Sequence, residues 1–381
     1  MTRRPTDTEF AEFVSRRGLI GAAGGLAAFA ATVRPAEAQS PTVSVPPSGR
    51  PATVSLKEDV IDYALVQHPV LPVDPNAPRQ GIRENLARMA QLLDEAANMG
   101  PMPDLISFHE FPIAGYAFWT RKEMLAVSID IPGEETRFLA EKAKQLGVWL
   151  TFGCYARDKD WPDHVLMLGV LMNPAGEVVA KHWKARGSHG RGGPELITST
   201  VYDVLPRYVE MYGWDEVVPV ARTPVGNISI TGVQYDPMLF TAMAIKGTEI
   251  SIRQATGSNP EDDARITSKY HGIYTGLVSN SVSPGNRYFP DFAGAYGITQ
   301  IVGPGGAPLA KAYGSHEEIV RAALPLAQYR KTHLIPDIQW DLYAPIFAAY
   351  QARYAPGHYL DYLPPTMQDA AQYFRDEGRW G

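Results

Sequence analysis

Cysteine is nearly absent: the 381-residue chain holds one, Cys154. A single thiol excludes an intrachain disulfide and any cysteine-built zinc site. The nine histidines do not fall at metal-ligand spacing. His182 and His189 are separated by a Gly-rich loop and are expected to face solvent. Neither a metal nor any other cofactor is implied. An excess of charge of one sign is also missing, with 35 Lys and Arg against 41 Asp and Glu and a net charge of −6. That balance gives no basic footprint for nucleic acid or an anionic membrane surface. Long hydrophobic runs are lacking too. The uncharged stretch Gly18–Val33 is too short and too rich in Gly and Ala for a comfortable membrane span. "GPGG" at Gly303–Gly306 is not followed by Lys-Ser/Thr and reads as a hairpin turn rather than a phosphate loop.

What is present suits a globular protein with a substantial core: 45% of residues are hydrophobic, and 32 prolines with 34 glycines imply many turns. Arg16-Arg17 precede the uncharged stretch, and Ala36-Glu37-Ala38 forms a small-residue cleavage site. Residues 1–38 therefore resemble a twin-arginine signal, which implies the export machinery as a partner, a periplasmic mature protein and no membrane span after cleavage. Residues 39–53 are Pro/Ser-rich and read as a linker. Residues 54–330 alternate strand and helix signals with two hairpins, one turning at Asn173-Pro174-Ala175-Gly176 and one at Gly303–Gly306. The segment Arg83–Met99 carries Leu86, Met89, Leu92 and Leu93 at helical spacing, and "RITSKYHGIYTGL" reads as a further helix. This order predicts an α/β fold, two sheets sandwiched between outer helices in four layers, αββα. No short internal repeat is visible. Residues 331–381 form an aromatic, Pro-rich extension expected to wrap a neighbour or the body of the chain.

Three charged residues sit where elements end. Glu110, in "FHEFPIAGY", closes an apolar strand, a setting in which a carboxylate is partly desolvated and becomes a usable general base. It could equally bond the backbone of the following turn. Lys184 ends the second strand of the first hairpin, near Lys181, Arg186 and Arg191, where a solvated basic loop is the plain alternative. Glu210 lies in the aromatic insertion "YVEMYGWDEV", where a surface acid is the default.

Together these motifs resemble the nitrilase, or carbon–nitrogen hydrolase, superfamily. "FHEFPIAGY" is similar to its first glutamate motif, and "NPAGEVVAKHWK" to the hairpin leading to its lysine. "TPVGNISITGVQYD" is similar to the strand leading to its catalytic cysteine, and "GITQIVGPGGAPLAKAYGSHEEIVRAAL" to its late hairpin and final strand. The resemblance implies Glu110 as base, Lys184 as stabiliser of the anionic tetrahedral centre, and Glu210 as a second glutamate, with Glu195 in reserve. Tyr116, Tyr235 and Asp236 are the implied substrate contacts. The aromatic insertion is similar to that of the amidase and formamidase branch, which points to small amides. The family's tendency to pair through helical faces implies a homo-oligomer.

One position departs. Where the family has its cysteine, this chain has Gln234, and the turn after it, "QYDPMLFTAMAIKG", is shorter than the family's and lacks a glutamate after Pro237. The expectation is that Gln234 accepts from Lys184 and donates to Glu110 or Glu210, tying up the old catalytic charges. Three functions remain open: a binding protein for a small amide, nitrile or carboxylate without thiol hydrolysis; an enzyme using Glu110 and Lys184 without a thioester; or a structural or assembly protein.

Overall fold

The helical spacing in Arg83–Met99 becomes the inner face of α1 (Pro78–Asn98), where Leu86, Met89, Leu92 and Leu93 are buried. Side chains of that size, fully removed from water, each contribute about 1.5–3 kcal/mol. The computed structural model describes residues 45–187, 194–256, 261–283, 285–288 and 299–380, together with the backbone only of a few of these. The export-signal reading of residues 1–38, and the linker up to residue 44, lie outside the described residues.

The strands are β1 (Ile61–Gln67), β2 (Pro69–Val70), β3 (Leu105–Phe108), β4 (Ile129–Asp130), β5 (Trp149–Asp158), β6 (Trp161–Met172), β7 (Val178–Trp183), β8 (Ala221–Thr223), β9 (Gly226–Thr231), β10 (Ile250–Thr256), β11 (Tyr274–Val282), β12 (Gln300–Val302), β13 (Pro308–Lys311) and β14 (Glu318–Leu324). They form two sheets. One runs β14-β1-β3-β5-β6-β7 with β4 on β5, and the other runs β13-β12-β11-β10-β9-β8 with β2 on β11. In the first, β1, β3 and β5 are parallel and the flanking pairs antiparallel. In the second, β9, β10 and β11 are parallel and again flanked by antiparallel strands.

The remaining helices are α2 (Arg121–Val127), α3 (Glu134–Leu146), α4 (Leu205–Tyr212), α5 (Pro237–Ile245), α6 (Glu261–His271), α7 (Leu326–Thr332), α8 (Ala344–Ala349) and α9 (Met367–Asp376). Each half thus follows one order, strand-helix-strand-helix and then three strands: β1-α1-β3-α3-β5-β6-β7 and β9-α5-β10-α6-β11-β12-β13. The repeat that the sequence does not display is present in the topology.

The sheets face one another across a core that includes Tyr63, Leu65, Leu171, Ile228, Ile230, Ile252 and Val278. A second core joins the outer face of the first sheet to α1 and α3, and α5 covers Val233 with Leu239, Phe240 and Met243. The architecture is the four-layer αββα sandwich expected. Close approach of the sheets requires glycine: a Cβ at Gly169 would stand 2.3 Å from Ile230 Cγ2.

One boundary differs from the sequence reading. The helix expected over "RITSKYHGIYTGL" ends at His271, Gly272 takes a left-handed φ of 62°, and Tyr274 opens β11. The parallel partnership of β11 with β10 outweighs local helical spacing. The C-terminal extension packs in part on its own body. Tyr359, Ala370 and Phe374 join the first sheet's outer core, and Tyr359 donates its hydroxyl to the carbonyl of Leu196.

Candidate functional site

Glu110 lies two residues past β3, at the carboxyl end of a central parallel strand. Its backbone is pressed against β5, where a Cβ at Gly153 would stand 2.3 Å from the Glu110 carbonyl oxygen. Its carboxylate is pressed from the other sheet: a Cβ at Gly232 would stand 2.3 Å from Oε1. Lys184 follows β7, held by its N–H to Met167 (2.9 Å) and by its carbonyl, which accepts from Val201 N (3.0 Å). Its Nζ donates to Glu110 Oε1 at 3.0 Å, with the side chains 5% and 8% exposed. In this low-dielectric setting the pair is a fixed proton acceptor beside a fixed positive charge. Beside it lies a cavity of about 10 Å³, room for one water-sized group, lined by Glu110, Cys154, Lys184, Gly232 and Gln254 among others. Gln254 is anchored by its Nε2 donating to the Phe108 carbonyl at 3.1 Å.

Gln234 stands beyond the end of β9, and its partner is not Lys184. Its Oε1 accepts from Arg253 Nε at 2.8 Å and from Nη2 at 2.5 Å. Arg253 sits on β10 beside Thr231 of β9 in the register and is fully buried, its guanidinium 4.3 Å from the centre of the Phe240 ring. It also donates to the carboxylate of Asp263 on α6. Burial pushes the Arg253 pKa down, and Asp263 opposes that shift. Asp263 accepts in turn from Tyr235 N at 2.9 Å. The expected bridge from Gln234 to Lys184 is thereby corrected. The arginine on the adjacent strand takes the amide oxygen, and Gln234 Nε2 is buried with no acceptor among the described residues.

The other expected residues divide. Glu210 is exposed on α4, whose Tyr208 and Val209 take the buried positions, and the structure does not bring it to the Glu110–Lys184 pair. The side chain of Glu195, and Arg191, lie outside the described residues. Asp236 serves the fold: it caps α5 by accepting from Leu239 N (3.0 Å) and pairs with Arg186. Tyr235 is 44% exposed with a left-handed φ of 53°. Tyr116 is half-buried, stacked on Phe111 with ring centres 5.4 Å apart. Cys154 is buried in β5, where desolvation pushes its thiol up.

A family model for the carbon-nitrogen hydrolases matches residues 64–338. The chain belongs to the carbon–nitrogen hydrolase family. A formamidase of Helicobacter acinonychis (strain Sheeba) is 24% identical over 266 residues, 68% of this chain and 71% of the relative. A carbon-nitrogen hydrolase of Helicobacter pylori G27 superposes with a TM-score of 0.60 at 18% identity, over 77% of this chain and all of the other. A variant of the amidase from Nesterenkonia sp. AN1, showing covalent addition of the acetamide moiety of fluoroacetamide at the active site cysteine, superposes with a TM-score of 0.52 at 17% identity, over 77% and 99%. These likenesses fix the fold as the nitrilase-type sandwich.

Within this carbon–nitrogen hydrolase fold the sequence reading missed several residues. Arg253 read as part of an ordinary strand; an arginine in the buried run "EISIRQA" is the signal that could have marked it. Gly153 and Gly232 carried no signal, because the close approach they permit is between strands far apart in sequence. His182, expected at the surface, is buried between the sheets: its Nδ1 accepts from Ile230 N at 2.9 Å, and burial lowers its pKa to about 4. His189 lies outside the described residues. His68 and His109 form a buried pair 3.2 Å apart, both pushed down chiefly by desolvation. Among the described residues no cluster of His, Cys, Asp and Glu is placed to hold a metal, and no helix is long and apolar enough to cross a membrane.

Proposed function

We propose that the chain binds a small amide, nitrile or carboxylate at the Glu110–Lys184 pair without forming a thioester, with Gln234 occupying the place of the family's nucleophile. The observation that carries this reading is the engagement of the Gln234 amide by Arg253 at the end of β9, together with the burial of the only thiol, Cys154, in β5. A buried thiol whose pKa is raised is not a thiolate at neutral pH and does not attack. The cavity beside Glu110 and Lys184 admits one water-sized group, so a ligand would present a single polar head there with its remainder toward the open side.

A second reading is favoured by the same cavity. Its size suits one water beside a carboxylate and an ammonium, an arrangement in which Glu110 would take a proton from water while Lys184 stabilises an oxyanion. Ammonia release from a panel of small amides and nitriles, with Gln234→Cys in parallel, separates the two. Turnover by the native chain that vanishes in Glu110→Ala supports the second. Ligand binding without turnover supports the first, and neither binding nor turnover refutes both.

Residues 1–38 would export the protein through the twin-arginine route to the periplasm, which the N-terminal sequence of the secreted protein tests. Assembly into a homo-oligomer would be refuted by a monomeric sedimentation profile.

A further inference from the structure

We infer that the cavity at the open edge of the sandwich is a further binding site, for a small organic cation with an aromatic body, separate from the Glu110–Lys184 pair. β7 is the last strand of one sheet and β8 the last of the other. Between these two edges, α4 and the Trp214–Val217 turn enclose about 570 Å³, within the roughly 300–1,000 Å³ of small-molecule sites. None of the residues around it lines the cavity beside Glu110.

One wall holds an unmatched donor. His182 on β7 is 3% exposed and lines the cavity. Its Nδ1 accepts from Ile230 N, on the other sheet, at 2.9 Å. A backbone N–H can only donate, so Nδ1 carries no proton and the ring is the neutral tautomer protonated at Nε2. Desolvation, which lowers its pKa to about 4, agrees. That Nε2–H has no acceptor among the described residues, yet Nε2 is not one of the sealed polar atoms of the interior. It opens on the cavity, where an oxygen of a ligand would match it. Aromatic rings supply more of the wall: Trp183 meets Tyr208 with ring centres 5.2 Å apart, and Tyr208 meets Tyr212 at 4.8 Å. The carboxylates set the sign of the charge. Asp158 is 3.8 Å from Lys181 and Asp215 is 2.7 Å from Lys246, which leaves Glu216 with no basic partner among the described residues. A ligand with an acceptor oxygen at one end, a flat apolar middle and an ammonium at the other matches the donor, the rings and the carboxylate.

The test is calorimetric titration of the full chain with tyramine, which has such an oxygen, ring and ammonium, and with 3-(4-hydroxyphenyl)propionate, which reverses the charge. Tyramine should bind at least about tenfold more tightly than the propionate, and excess acetamide should not displace it. Glu216→Gln, at an exposed position, should weaken tyramine about threefold. His182→Asn, which keeps an oxygen for Ile230 N–H and removes the outer donor, should weaken it about tenfold. In the native chain the His182 Nε2 resonance should move on titration, a readout that does not depend on a variant folding. Tyramine binding that leaves this resonance still, is displaced by acetamide, is matched by the propionate or is unchanged in His182→Asn overturns the inference, as does no binding at all. The binding reading at Glu110 and Lys184 stands or falls separately, on acetamide titrated alone.

Discussion

The Lys184 ammonium lies 3.0 Å from Glu110 Oε1 at the point where the two sheets meet, with both side chains almost wholly out of water. Removing one partner strands the other charge. Lys184→Ala should cost about 3–5 kcal/mol of stability, and the double replacement Glu110→Leu with Lys184→Met should cost less than the single one. Chemical denaturation of the two variants beside the native protein checks this; a Lys184→Ala variant as stable as native would contradict the buried pairing.

Gly232→Ala tests the packing of the carboxylate. The added methyl would stand 2.3 Å from Glu110 Oε1, so the carboxylate must move off Lys184. Ligand binding should be lost with a stability penalty of about 1–3 kcal/mol, the range for overpacking. Unchanged binding would mean that the Glu110 position does not set affinity.

Acid should destabilise the fold through its buried histidines. Burial lowers His182 to about 4 and His68 to about 3, against about 6.5 in the unfolded chain. The unfolded state therefore binds more protons below about pH 6.5, and stability falls as pH drops from there toward 4. At one pH unit below the unfolded value each group has given up about 1.4 kcal/mol, so the two together remove roughly 2–3 kcal/mol between pH 7 and 5.5. His182→Gln should flatten part of that slope. A pH-independent Tm over this range would refute it.

The C-terminal extension should be required for stability. Tyr359 is 1% exposed and bonds the Leu196 carbonyl, and Arg121 donates to the Pro364 carbonyl at 2.9 Å. Tyr359→Ala should cost about 3–5 kcal/mol, as for other buried aromatics, and Tyr359→Phe only about 1. A Tyr359→Ala variant with native Tm would show that the segment merely rests on the body.

Much of this was readable in the residues. The spacing of Leu86, Met89, Leu92 and Leu93 specified the inner face of a helix, and Gly147, with φ 68°, stopped another where expected. Glu110 and Lys184 were marked as strand-end charges by patterning and singled out only by the resemblance of "FHEFPIAGY" and "NPAGEVVAKHWK" to family motifs. Glu210 was misplaced because, in a short helix inside an irregular insertion, only packing decides which side faces solvent. His182 alternates along β7 like any strand residue, and only the second sheet determines that its side is covered.

The sequence by itself determined the elements and their order, because periodicity and turn chemistry are local, and its resemblance to a family marked Glu110 and Lys184, whose contact only the fold shows. It also placed a glutamine at the end of β9. The partner of that glutamine was decided by tertiary structure alone. Arg253 is nineteen positions away along the chain. It reaches Gln234 because β9 and β10 run parallel with Thr231 beside Arg253, and because Phe240 and Asp263 bury the guanidinium from the helical side. A buried donor takes the nearest acceptor that the strand register offers, and register is a property of the folded sheet.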